Sequence, residues 1–132
     1  MGTVLGTAIN SSPTIVMPAK AAITNPRYLA LAVDAGKVKL PAAAGDPVIG
    51  IAIGENDSVA ADDMVDIQIK DIGKWIASGS IAVGAELAAD ANGKAAAATS
   101  GDFILGVALT AASAAGDIIQ VQITKSGYKP GT

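Results

Sequence analysis

Cysteine and histidine are both missing from this chain of 132 residues. Without cysteine there is no disulfide, no thiolate zinc site and no thiol nucleophile. Without histidine the commonest general base and metal ligand is gone. Aromatic side chains are scarce: Tyr28, Trp75, Phe103 and Tyr128 are the whole set. Apolar burial must therefore come from Ile, Val, Leu and Ala, which remove less area from water per residue. Such a chain gains by burying further surface in an oligomer or on a partner. Basic residues are outnumbered, nine against twelve acids, giving a net charge of −3 and a pI of about 4.6. That balance offers no electrostatic footprint for nucleic acid. Long apolar runs are absent as well. None approaches the roughly 18 residues of a membrane helix, so no membrane partner is expected. The first basic residue is Lys20, which argues against a secretory leader.

What the chain does contain is a phrase stated twice. "GDPVIGIAIG" begins at Gly45 and "GDFILGVALT" at Gly101. Aligning Leu31 with Leu87 carries the match without a gap to Ile53 and Leu109. Asp34, Ala35, Gly45, Asp46, Gly50 and Ala52 all recur in the second copy. After a loop that differs by two residues, "DMVDIQIK" at Asp63 matches "DIIQVQIT" at Asp117. Two copies are too few for a solenoid. A duplicated β unit about a pseudo-twofold axis is expected, with copies over about 31–70 and 87–124.

Each unit reads as strand. Val65, Ile67 and Ile69 alternate with Asp66, Gln68 and Lys70, and Ile119, Val121 and Ile123 alternate with Gln120, Gln122 and Thr124. A period of two means one buried and one wet face. "VIGIAI" and "ILGVAL" read as strands buried on both faces, with Gly50 and Gly106 at bulges or where another backbone comes close. The Gly-Asp pairs at Gly45, Gly101 and Gly116 are turn signals. The alanine-rich stretch before Gly101 favours a helix by propensity. Yet Asn92-Gly93 interrupts it with a strong hairpin signal, and a hairpin is expected over a short helix at Ala85–Ala91. The fold class is therefore all-β.

Residues 1–28 differ from the rest. Pro13, Pro18 and Pro26 confine them to extended or edge-strand geometry, and charges are few. The expected organisation is an extended N-terminal arm over 1–28, a β domain over 29–126, and a tail over 127–132.

Few residues point to chemistry. Glu55, Asp57, Asp62, Asp63 and Asp66 form an acidic loop, but the alternating ligands of a calcium loop are absent. The second copy keeps only Asp117, opposite Asp63. A solvated turn that discourages edge pairing explains the loop better. The serines lack both a G-x-S-x-G frame and a histidine, and no phosphate-binding glycine loop occurs. An enzyme is not expected, nor a metal or cofactor. Lys94, after the Asn92-Gly93 turn, resembles the modified lysine of biotinyl and lipoyl carrier domains. Its flanks, Gly93 and Ala95, depart from theirs. Trp75 has two readings, core filling or an interface anchor.

Taken over about Asp34 to Ile123, the pattern resembles the capsid decoration, or cement, proteins of tailed bacteriophages. The residues that carry the resemblance are "GDPVIGIAIG", "VGAELAADANGK" and "GDFILGVALT". The resemblance implies a compact β-barrel-like or β-tulip domain without catalytic residues. It implies a place on the outer surface of the phage head, where the major capsid protein is the partner and a homotrimer is the expected self-assembly. A related head-fibre or tail domain is the alternative, beside the carrier reading. Expected partner contacts are Pro13, Ile15, Val16, Met17, Pro18, Arg27, Tyr28 and Trp75. Removing the arm through Tyr28 is expected to leave a folded domain.

Overall fold

The computed structural model describes residues 12–54 and 57–130. Among them the chain forms strands and turns, with no helix. The strands are β1 (Thr14–Pro18), β2 (Ile23–Thr24), β3 (Ala30–Asp34), β4 (Lys37–Lys39), β5 (Gly50–Ala52), β6 (Ser58–Val59), β7 (Met64–Gln68), β8 (Asp71–Ile76), β9 (Glu86–Ala89), β10 (Ala95–Ala97), β11 (Phe103–Ala108) and β12 (Ile118–Tyr128). They build two five-stranded antiparallel sheets, ordered β1-β7-β5-β3-β4 and β10-β9-β11-β12-β8, and a small β2-β6 pair.

The all-β expectation holds, down to the alanine-rich segment. There Ala89 pairs with Ala95 across a loop in which Gly93 takes φ +79°. One oxygen of the Asp90 carboxylate accepts the amides of Asn92 and Lys94, each at 2.9 Å. Leu87, Ala88 and Ala89 are buried on both faces, and that tertiary burial outweighs helix propensity. In the first copy the same hairpin is shorter. Asp34 faces Lys37 across Ala35 and Gly36, at φ +52° and +80°. Such a turn wants positive φ at both positions, which alanine resists and asparagine tolerates. Ala35→Asn is therefore expected to stabilise the fold by about 0.5–1 kcal/mol. A thermal melt checks it, and an unchanged or lower melting temperature contradicts it.

The duplication runs further than the sequence alignment. β1, β3, β4, β5 and β7 of the first half correspond to β8, β9, β10, β11 and β12 of the second. Ala19, just after β1, bridges Val38, and Ala77, just after β8, bridges Ala95, both in parallel sense. The amide of Ala19 donates to the Asp63 carbonyl and that of Ala77 to the Asp117 carbonyl, each at 2.8 Å. Each half has its own core in matching places: Ala19, Ile23, Leu31 and Ala52 in one, Ala77, Ile81, Leu87 and Ala108 in the other.

Three expectations need correction. The sheets do not close into a barrel: in each half the two edges meet at a single parallel bridge, because β4 and β10 are only three residues long. Residues 12–28 are extended but not separate from the body. β1 pairs with β7 from Thr14–Gln68 to Pro18–Met64, and Ala19 and Ile23 are buried. Truncation through Tyr28 would remove an edge strand and part of a core, so a test of the arm has to stop before Ser12. The rest of the expected arm, 1–11, lies outside the described residues. Finally, the halves do not pack about a twofold axis. Ala30, Ala32, Val48 and Ile51, on the outer face of the first sheet, join the core of the second half. Tyr28 O accepts from Ile76 N at 3.1 Å, Ala30 N donates to Gly93 O at 2.7 Å, Gly45 N to Ala89 O at 2.9 Å, and Phe103 N to Gly45 O at 3.0 Å. The reciprocal bonds do not form. The mates of Ile76 and Phe103 are Pro18 and Pro47, which have no N–H to give. The amide of Gly101, the mate of Gly45, is taken by the Lys129 carbonyl at the end of the longer β12.

The repeated phrase is structural. A Cβ on Gly50 would sit 2.1 Å from the Gln68 carbonyl oxygen, and one on Gly106 would sit 2.3 Å from that of Gln122. Both glycines exist because a neighbouring backbone passes there. The aspartates clamp the turns that deliver the strands. Asp46, Asp63, Asp102 and Asp117 each accept the main-chain amide three residues back, on Ala43, Ala60, Thr99 and Ala114. The residue before each takes a positive φ: Gly45, Asp62, Gly101 and Gly116.

Asp117 also accepts from the amide and hydroxyl of Ser113. The Ser113 amide foremost, then its hydroxyl and the Ala114 amide, hold the Asp117 carboxyl below its ordinary 3.8. A depressed folded pKa means the clamp stabilises above 3.8 and is lost as pH falls through the folded value. Melting temperature is expected to fall on acidification through that range, with a shallower acid limb in Asp117→Asn. Identical acid limbs in the two proteins contradict the clamp.

Candidate interaction surface

The eight expected contact residues divide between inside and outside. Pro13 and Arg27 are exposed, Val16 is 57% exposed, and Pro18 and Tyr28 are half-buried. Ile15 and Met17 alternate with Val16 on β1 and pack against the core of the first half. Trp75 is not a surface anchor. It is fully buried, and its Nε1 donates to the Gly93 carbonyl at 2.8 Å. Its ring fills the position that Met17 holds in the other half, and the indole N–H finds a partner there, as a buried indole must.

Two outward patches take in the exposed members of this set or their neighbours. On the β1 edge, Val16 lies diagonally across from Met64, which is 64% exposed. No charged side chain occurs on β1, so strand addition along it is limited only at its end, by Pro18 and the bridge from Ala19 to Val38. The second patch lies at the seam between the halves. Lys74 and Ile76 on β8 face Gln120 and Ile118 on β12. Ile72 and Ile118 are 58% and 53% exposed. Beside them the Tyr28 ring packs against the core cluster, with the Arg27 guanidinium 4.9 Å above its centroid. Two hollows of about 300 and 380 Å³ open here side by side, and Tyr28, Lys74 and Gln120 wall both.

Of the residues at this seam, Arg27 and Tyr28 are among the expected contacts, and Ile72, Lys74, Ile118 and Gln120 are not. The available signal was alternation in "DIGKWI", which puts Ile72 and Lys74 opposite Gly73 and Trp75. A lone isoleucine on a wet face is ordinary, and it is Ile72 together with Ile118 that makes an apolar patch here.

The other chemical candidates have structural roles. Glu55 lies outside the described residues. Asp62 pairs with Lys37 at 2.6 Å, and Asp63 clamps its turn. Among the described residues no three acidic side chains gather as a metal site would require. Lys94 is half-buried, with its amide on Asp90 and its carbonyl accepting the Asp90 amide at 2.8 Å. It is not the free tip of a hairpin. Lys20 and Lys39 both contact Asp34. The hydrogen bond from Lys20, then its charge, hold the Asp34 carboxyl below its ordinary value. These exposed pairs contribute little to stability.

A family model described as phage cement protein matches residues 9–123. The chain belongs to that family. It is a structural protein of the phage head, carried on the outer surface of the capsid. The cement protein's match takes in β1, the part of the expected arm that the structure places in the first sheet. No curated protein matches it. Among solved structures it is similar to the head fiber gp8.5 N base in bacteriophage phi29, with a TM-score of 0.62 and 21% identity over 88% of this chain and 97% of that one. At that identity the likeness shows a shared fold.

Proposed function

We propose that this cement protein binds the major capsid protein, acts without catalysis, and clamps neighbouring capsid subunits together as a homotrimer. The observation that carries this is the family match across nearly the whole chain. The structure supports it in kind: a twice-built β scaffold whose repeated residues serve turns and close backbone approaches. Individually weak contacts suffice on a lattice that presents many sites at high effective concentration. The β1 edge, with Val16 and Met64, and the seam at Tyr28 are the surfaces proposed to meet the capsid.

A second reading, the base of a head fibre, draws on the fold shared with the phi29 protein. Light scattering and pelleting with heads separate the outcomes. A species of about 39 kDa, three chains of 12.9 kDa, that sediments with expanded heads lacking this protein supports the clamp. Failure to sediment with such heads contradicts it. Sedimentation only with a fibre protein attached favours the second reading.

A further inference from the structure

We propose that the seam groove walled by Tyr28, Lys74 and Gln120 receives an extended acidic segment of the capsid protein. This rests on the cement reading and names the chemistry of the contact.

The first argument is the backbone of Tyr28. Its amide bonds the Ala52 carbonyl as the Gly84 amide bonds that of Ala108, and both residues are left-handed, at φ +66° and +84°. Glycine holds this conformation without cost, whereas tyrosine does not. The residue packs against the core cluster and is still only half-buried. Its place as the shared wall of both hollows, with Arg27 stacked on it, points to use of the rest.

The second argument is charge. Among the described residues no acidic side chain lines either hollow, although the chain as a whole carries −3. Lys74 is on the wall and Arg27 sits over the ring. Among the described residues the ion pairs engage Lys20, Lys37, Lys39 and Lys129; these two cations are outside them, as are Lys70, Lys94 and Lys125. What sets Arg27 and Lys74 apart is that they gather at one groove through Tyr28, and positive charge gathered on an acidic protein selects carboxylates.

The third argument is the strand edge. β8 ends its sheet. Its outward backbone groups are taken at Ile76, whose amide donates to Tyr28 O, and at Ile72, whose carbonyl accepts Gln68 Nε2 at 2.8 Å. Alternation in an antiparallel pair turns the backbone of Lys74, two residues from each, the same way. An extended segment can bond there while its carboxylate reaches Lys74 and Arg27 and its apolar neighbours cover Ile72 and Ile118.

The test is binding of the full chain to purified heads that lack it, over a range of salt. Arg27→Glu/Lys74→Glu is expected to weaken binding by roughly tenfold or more and to flatten its salt dependence. Arg27→Gln/Lys74→Gln is expected to fall between it and wild type. Melting curves confirm that each variant is folded. Lys125→Glu/Lys129→Glu, away from both the seam and the β1 edge, changes net charge equally and is expected to bind nearly as wild type. A seam variant that binds like wild type overturns the acidic groove but leaves the cement reading standing. So does an equal loss in the Lys125/Lys129 control, which assigns the effect to net charge. A wild-type protein that does not bind heads overturns both.

Discussion

Gly50→Ala and Gly106→Ala are each expected to destabilise the protein by about 3 kcal/mol or more, although each adds only a methyl group. The atom that the new Cβ would meet is a carbonyl oxygen of the adjacent strand, 2.1 Å away for Gly50 and 2.3 Å for Gly106. No rotamer change relieves such a contact, so β5 must separate from β7, or β11 from β12. Neither glycine needs a positive φ, so the effect is spatial. Gly79, a turn glycine with nothing near its would-be Cβ, is the control: Gly79→Ala is expected to be nearly neutral. Chemical denaturation of the three variants checks this. Equal midpoints for Gly106→Ala and Gly79→Ala would remove the close-approach explanation of the repeated phrase.

Trp75→Ala is expected to cost about 3–5 kcal/mol, a large share of the 5–15 kcal/mol typical of a domain. Trp75 is the largest fully buried side chain and belongs to the cluster where the outer face of the first sheet meets the second half. Truncation empties that junction and removes one of the two donors to the Gly93 carbonyl, leaving the Ala30 amide. Trp75→Phe keeps most of the volume while losing the N–H and part of the ring, so a smaller loss is expected. Denaturant midpoints rank the three proteins. A Trp75→Ala variant as stable as wild type would return Trp75 to the surface role that sequence also allowed.

Much of this architecture was legible. Alternation in β7 and β12 gave the buried set Val65, Ile67, Ile119 and Val121, and Gly50 and Gly106 announced the close backbones. The Asn92-Gly93 turn outweighed alanine, since a helix there would have left Leu87 and Ala89 without cores to enter. What stayed hidden was relational. β1 and β8 correspond through Ala19 and Ala77, but their side chains differ, Met17 against Trp75 and Val16 against Lys74, so no alignment marked them as mates. Prolines suggested a free arm at Pro18, whereas their lasting effect is to deny the first half the donor that Ile76 supplies in the second. The seam was hidden for the same reason. Tyr28, Lys74 and Gln120 are far apart in sequence and meet only because one half caps the other.

The most direct test of the account is a cryo-EM reconstruction of heads lacking this protein, before and after adding it back. The account predicts new density on the outer surface where capsid proteins adjoin, fitted by the two-sheet body with the β1 edge or the Tyr28 seam against the shell. Heads unchanged by the addition, or density on the inner surface, would contradict it.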